Sequence, residues 1–152
     1  MAKRTNPAKD KDETTPGKAA TLKKTKARQP KRKLKDNTDK LLTVIIDSIE
    51  DKKGERIVVL NLKELNNAMA DYFIICQASN KTQVEAIVRN IEEKVEKKLK
   101  ETAAHIEGKQ NAEWILLDYF NVIVHVFLAD KRDFYSLEKL WADAPLVKFA
   151  AQ

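Results

Sequence analysis

The sequence predicts an α/β domain, a mixed sheet with helices packed on it, behind an N-terminal extension of different character. Three observations predict it. Apolar residues recur at helical spacing in three stretches, and short runs rich in β-branched and aromatic residues have the length of strands. The elements follow one another as α-β-β-α-β-β-β-α, which gives one sheet with helices on it. Charge is divided: residues 1–35 hold 13 Lys/Arg against 3 Asp/Glu, a net of +10, and the other 117 hold 16 against 20, a net of −4. The overall +6 therefore describes the extension and misdescribes the domain.

Residues 1–35 have almost no large apolar side chain and bury too little to offset the entropy of ordering, so disorder is expected there. The domain is expected to span 36–152. Its first helix should start at an Asn37 or Thr38 cap, with Leu41, Leu42, Ile45 and Ile49 as the buried stripe and Gly54 at its stop. Strands follow at Arg56–Leu62 and Asp71–Gln77, joined by a connection through Leu65 to Ala70. Asn80 with Gln83 three residues on has the form of a capping box for the longest helix, Lys81 to Lys100. Val84, Ile87, Val88, Ile91, Val95 and Leu99 line one face of that helix, and Glu93/Lys97 and Glu96/Lys100 are candidate ion pairs on the other. A short strand near His105–Glu107 ends at Gly108.

The remaining stretch, Trp114 to Ala144, is the most informative. Trp114–Leu117 and Val122–Leu128 read as adjacent antiparallel strands joined through Asp118-Tyr119-Phe120-Asn121. In the second, Val122, Val124, Val126 and Leu128 face one way and Ile123, His125 and Phe127 the other, so the strand is central and covered on both sides. A helix should follow with Asp130 as N-cap and Asp133 in its first turn, burying Phe134, Leu137 and Leu140/Trp141.

Composition bounds the chemistry. One cysteine excludes an internal disulfide and a Cys-based zinc site, and Cys76 within a strand reads as a small core residue. No apolar run approaches the ~20 residues that span a membrane, and no signal-peptide core follows Met1. Asp10, Asp12 and Glu13 argue against an organellar transit peptide, leaving the cytoplasm as the expected compartment and no membrane partner. In the extension, Lys23, Lys24, Arg28, Lys31, Arg32 and Lys33 form the densest basic runs. They read equally as sequence-independent attraction to RNA phosphates or as a solvated solubility tail.

W-I-L-L-D-Y-x-x-V-I-V-H-V-F followed by R-x-F-Y-x-L-E-x-L-W-x-D-A, together with V-L-N-L and A-D-Y-F-I-I-C-x-A-S-N upstream, resembles the ribosomal silencing factor, or Iojap-like, family over about residues 38–144. The resemblance implies a five-stranded mixed sheet with an outline similar to nucleotidyltransferases. It also implies a partner: family members bind the large ribosomal subunit on its ribosomal protein fourteen and block joining of the small subunit, which represses translation. Relatives imply a homodimer that opens before docking. Two departures stand out. The turn that usually reads Asp-Tyr-Gly-Asp-Val is here Asp118-Tyr119-Phe120-Asn121-Val122, with Asn121 the residue expected at positive φ. Where relatives often carry Gly-Glu-Asn, this chain has Gly108-Lys109-Gln110-Asn111.

Phosphoryl transfer fails on ligand count. A nucleotidyltransferase needs a Gly-Ser turn and an Asp-x-Asp pair, and this chain offers Ala78-Ser79-Asn80 and the single Asp118. No enzyme, cofactor or metal is expected. The competing reading is a catalytically inactive nucleotidyltransferase-like module that binds nucleotide or RNA through Ser79-Asn80. His125 reads either as a proton carrier or ligand, or as a hydrogen-bonded core histidine. The candidate partner-binding residues are Trp114, Asp118, Tyr119, Phe120, Tyr135, Glu138, Trp141 and Asp143, aromatics rimmed by carboxylates that suit a basic partner. For Asp118 the alternative is a local turn hydrogen bond, and for the tryptophans a place in the core.

Overall fold

The first helix, α1 (Lys31–Asp51), begins upstream of the expected Asn37 or Thr38 cap. From Lys31 to Lys53 there is neither proline nor glycine, so nothing in the sequence stops the helix from extending that far. The structure, a computed structural model, describes residues 31–66 and 68–147, with side chains from residue 37 onward. Of the extension expected to be disordered, residues 1–35, residues 1–30 lie outside the described residues and 31–35 form the start of α1. No helix among the described residues is long and apolar enough to cross a membrane.

The elements that follow are β1 (Glu55–Asn61), β2 (Tyr72–Ala78), α2 (Lys81–Leu99), β3 (His105–Glu107), β4 (Trp114–Asp118), β5 (Val122–Leu128), α3 (Ala129–Tyr135), α4 (Leu137–Leu140) and β6 (Leu146–Val147). They build one mixed sheet in the order β3-β4-β5-β2-β1-β6. It has six strands where five were expected. The sixth is the two-residue β6, which pairs antiparallel with Val59 and Leu60 at the edge. Among the described strands only β2 and β5 run parallel, in register from Tyr72↔Val122 to Ala78↔Leu128.

Strand alternation sorts the side chains into two cores. Ile74, Cys76, Ile115, Leu117, Val124 and Val126 pack against Ile45 and Ile49 of α1 and against Ile87, Val88, Ile91 and Val95 of α2. Leu60, Phe73, Ile75, Ile123 and Phe127 form the opposite core with Leu137 and Ala144. Burial pushes the Cys76 thiol up to about 12, so it is an inert core residue.

The two long helices are tied at their ends. Asn80 accepts the Gln83 N–H at 2.9 Å, the Gln83 side chain accepts the Ser79 N–H, and its amide donates to the carbonyls of Lys52 and Lys53 at 3.0 and 2.9 Å. One residue thus caps α2 and closes α1. The left-handed residue after α1 is Lys53 (φ 64), not Gly54. Gly54 is needed for space, since a Cβ there would stand 2.3 Å from Ile49 Cγ2. Among the described residues the ion pairs of α2 run to other elements (Lys94 to Asp51, Lys81 to Glu113, Glu92 to Lys109) instead of along the helix as Glu93/Lys97 and Glu96/Lys100.

Two expectations near the C-terminus fail. Leu128, extended and without a side-chain cap bond, precedes α3, so Asp130 sits in the first turn instead of at the cap. The helix also breaks at Ser136 (φ 48), which splits it into α3 and α4. With the periodicity reset there, Phe134 and Leu140 are each 76% exposed, Leu137 is buried and Trp141 is half-buried.

In the β4–β5 turn the positive φ falls on Phe120 (+72), not on Asn121. The Asn121 N–H donates to the Tyr119 carbonyl at 3.0 Å, the i→i+2 bond of a γ-turn in its rarer positive-φ form. Asn121 is committed elsewhere: its carbonyl accepts from Asp71 and Tyr72, and its amide donates to Thr38. Phe120 therefore carries the strain at the position where the resembling sequences have glycine. Replacing it, Phe120→Gly, is expected to raise stability by about 1 kcal/mol in urea unfolding, because strain of 1–3 kcal/mol is relieved against a smaller gain of unfolded-state freedom.

Candidate partner-binding surface

The face of the sheet opposite α1 and α2 is covered only in part. In β4, Trp114, Leu116 and Asp118 are half-exposed while Ile115 and Leu117 are buried. The neighbouring edge strand adds exposed His105 and Glu107 on the same face, through the pairs His105↔Asp118 and Glu107↔Leu116. What results is an open strip across β3 and β4, bounded at one end by the aromatic side chains of α3.

Trp114 is its centre. The indole stacks on Phe127 (centroids 4.9 Å, 26°) and meets Tyr135 at 4.9 Å, and Tyr135 in turn meets Phe134 at 5.1 Å. The indole N–H donates to His125 Nδ1 at 3.1 Å. Burial holds His125 down to about 3, so the ring is neutral at ordinary pH. The alternatives left open for His125 resolve to a hydrogen-bonded core histidine.

The expected site residues separate. Trp114 and Tyr135 come together, and Phe120 stands 65% exposed at the hairpin tip. Asp118 accepts the Phe120 N–H at 2.7 Å, so the local turn bond is made. Tyr119 points to the other side, 4% exposed in the helix-covered core; its hydroxyl has no hydrogen-bond partner among the described residues, and burial, with Glu92 and Glu101 nearby, pushes its ionisation up. Trp141 packs edge-on against Phe73 at 5.5 Å, while Asp143 is exposed. The side chains of Lys31, Arg32 and Lys33, and residues Lys23, Lys24 and Arg28 entirely, lie outside the described residues.

Glu138 is engaged by a residue the sequence reading passed over. Arg132 is 1% exposed and holds Glu138 with two bonds, Nε at 3.1 Å and Nη2 at 2.9 Å. Its Nη1 donates to the carbonyl of Arg56, which sits at φ 50 where β1 bulges between Glu55 and Val58. The hydrogen bond from Arg132 leads the causes that hold the Glu138 carboxyl below its ordinary range. The pair spans the Ser136 turn and ties α3 to α4. Phe134 was also missed as a surface residue, because an unbroken helical period assigns it to the core.

In the Ser79-Asn80 turn, read from the sequence as a possible nucleotide cradle, the Ser79 N–H and the Asn80 side-chain oxygen are both bonded to Gln83. Among the described residues no group of three or more His, Cys, Asp or Glu is placed to hold a metal ion.

Among the described residues, then, an aromatic strip with carboxylates at its edge lies open on a net acidic domain, a candidate surface for a partner. Residues 35–152 match the family model described as ribosomal silencing factor during starvation, and the chain belongs to that family. It is 39% identical over 112 residues to the ribosomal silencing factor of Halalkalibacterium halodurans, covering 74% of this chain and 94% of the relative. A crystal structure of a protein from Bacillus halodurans superposes with a TM-score of 0.63 at 37% identity, covering 73% of this chain and 99% of that one. A mouse relative, the mitochondrial assembly of ribosomal large subunit protein 1, is 33% identical over 89 residues, 54% of this chain and 39% of its own length.

The buried imidazole makes stability depend on pH. As pH falls from 6.5 toward about 3, the unfolded chain takes up a proton on this ring that the folded chain refuses. Stability from this group is fully present above the unfolded value and drops by about 1.4 kcal/mol per pH unit below it. His125→Leu is expected to flatten that part of the profile, measured by urea unfolding at a series of pH values.

Proposed function

We propose that the chain represses translation by occupying the large ribosomal subunit, through ribosomal protein fourteen of that subunit, so that the small subunit is kept from joining. It acts by occupancy and not by catalysis, in the cytoplasm, with no cofactor. The observation that carries this reading is the open strip of Trp114, Leu116, Phe134 and Tyr135 edged by Asp118 and Glu107. An exposed aromatic patch with Asp118 and Glu107 along its edge suits a basic protein surface, and the net −4 of residues 36–152 adds attraction at a distance. Family membership supports a ribosomal target, and the name of the mouse relative supports the large subunit. A homodimer using the same strip would have to open before docking.

The N-terminal extension supplies a second, tethered interaction. Its +10 over residues 1–35 suits rRNA phosphates once the domain has docked. Removing residues 1–30 is expected to weaken subunit binding and flatten its salt dependence; unchanged affinity and slope would remove the extension from the mechanism.

The direct test mixes purified subunits with the chain and follows formation of complete ribosomes by light scattering. Wild type should suppress joining. Phe134→Ser, which disturbs no core contact at 76% exposure, should lower affinity for the large subunit roughly tenfold, about 1.4 kcal/mol. Its melting temperature should stay the same. Normal joining in the presence of excess wild-type chain sinks the reading.

A further inference from the structure

We propose that His125 is a positioning residue for the docking strip: it takes the indole N–H of Trp114 and so fixes that ring as a purely π face for a cationic side chain of the partner. This rests on the reading of the strip as the docking surface, and it adds which group holds the strip's central ring and what that ring can accept.

The geometry is specific. Trp114 lies opposite Phe127 on β5 and Leu116 lies opposite His125, so His125 is the diagonal neighbour of the indole on one face of the sheet. With Nδ1 accepting from the indole at 3.1 Å, the neutral imidazole carries its proton on Nε2. That Nε2 is buried and has no hydrogen-bond partner among the described residues. Around the ring stand Phe73 at 4.6 Å, Trp114 at 5.9 Å and Phe127 at 6.4 Å, all aromatic. A leucine or phenylalanine would fill this place without the unsatisfied Nε2, but would take the acceptor away from the indole N–H. What histidine alone adds is the acceptor, and the one group that uses it is the indole.

The consequence is chemical. An indole has a single polar atom, and here it is turned inward. The exposed part of Trp114 therefore offers nothing to a carbonyl acceptor and presents ring surface alone. Ring faces attract guanidinium and ammonium groups, and further along the same face stand Glu107 and Asp118, while the Glu113 carboxylate is held by Lys81 and Lys131. A basic side chain laid over Trp114 meets the ring face, with Glu107 and Asp118 further along the strip.

The test compares His125→Leu, which fills the space and removes the acceptor, with His125→Asn, whose amide oxygen takes the place of Nδ1. In His125→Leu the Trp114 indole N–H resonance should move upfield and exchange faster. Affinity for large ribosomal subunits should fall five- to tenfold with the melting temperature unchanged or raised, and His125→Asn should recover part of both. Wild-type affinity in His125→Leu alongside weakened binding in Trp114→Ala overturns the positioning role and leaves the docking surface standing. Wild-type affinity in Trp114→Ala overturns the docking surface itself. Should His125→Leu fail to fold, the nitrogen-15 spectrum of the wild-type imidazole decides: a protonated Nε2 with bare Nδ1 supports the assignment, and the opposite tautomer ends it.

Discussion

The parallel pairing of β2 with β5 is the constraint from which the rest of the structure follows. Their seven matched positions lie at the centre of the sheet, and nearly every side chain on both strands is buried. Strand periodicity is two, so sliding β5 by a single residue would turn His125 toward the long helices and move Val124 and Val126 away from them. The register is pinned at its start by the Asn121 carbonyl, which accepts from both Asp71 and Tyr72. That duty explains the neighbouring strain: Asn121 is occupied, and Phe120 takes the conformation that a glycine would hold more cheaply.

Because α1 and α2 both lie on one face, the other face is left to shorter cover. Leu137, Ala144 and the half-buried Trp141 close part of it, and β4 keeps alternate side chains half-exposed. The open strip is therefore a product of topology as much as of composition. Its aromatic residues are not loose on the surface; Trp114 is held by a stack, a tilted ring contact and a hydrogen bond. Rigid aromatic area of this kind is what a docking surface requires, since little ordering entropy is left to lose on binding.

The sheet and its two long helices were legible because their side chains obey a single period. Alternation in β5 placed Val124 against the helices and His125 away from them, and the Asn80–Gln83 spacing located the start of α2 to the residue. What was not legible depends on contacts across the fold. A left-handed serine at position 136 carries no mark in the sequence, and without it Phe134 reads as core. The buried Arg132 is satisfied by a carboxylate six residues on and by a carbonyl seventy-six residues back, and no local pattern announces such a pairing. Tyr119 was counted with the surface aromatics because it adjoins Asp118, yet chain direction reverses there and sends it into the opposite core. The two-residue β6 is too short to show a period at all.

Among the described residues both margins of the sheet are short: three residues of β3 on one side, two of β6 on the other. Such stubs give an incoming strand almost no ladder to extend, and exposed His105 and Glu107 on β3 make that margin less inviting still. Copies of this chain crowded together have little backbone to zip onto, so whatever they adhere to must be recognised through side chains.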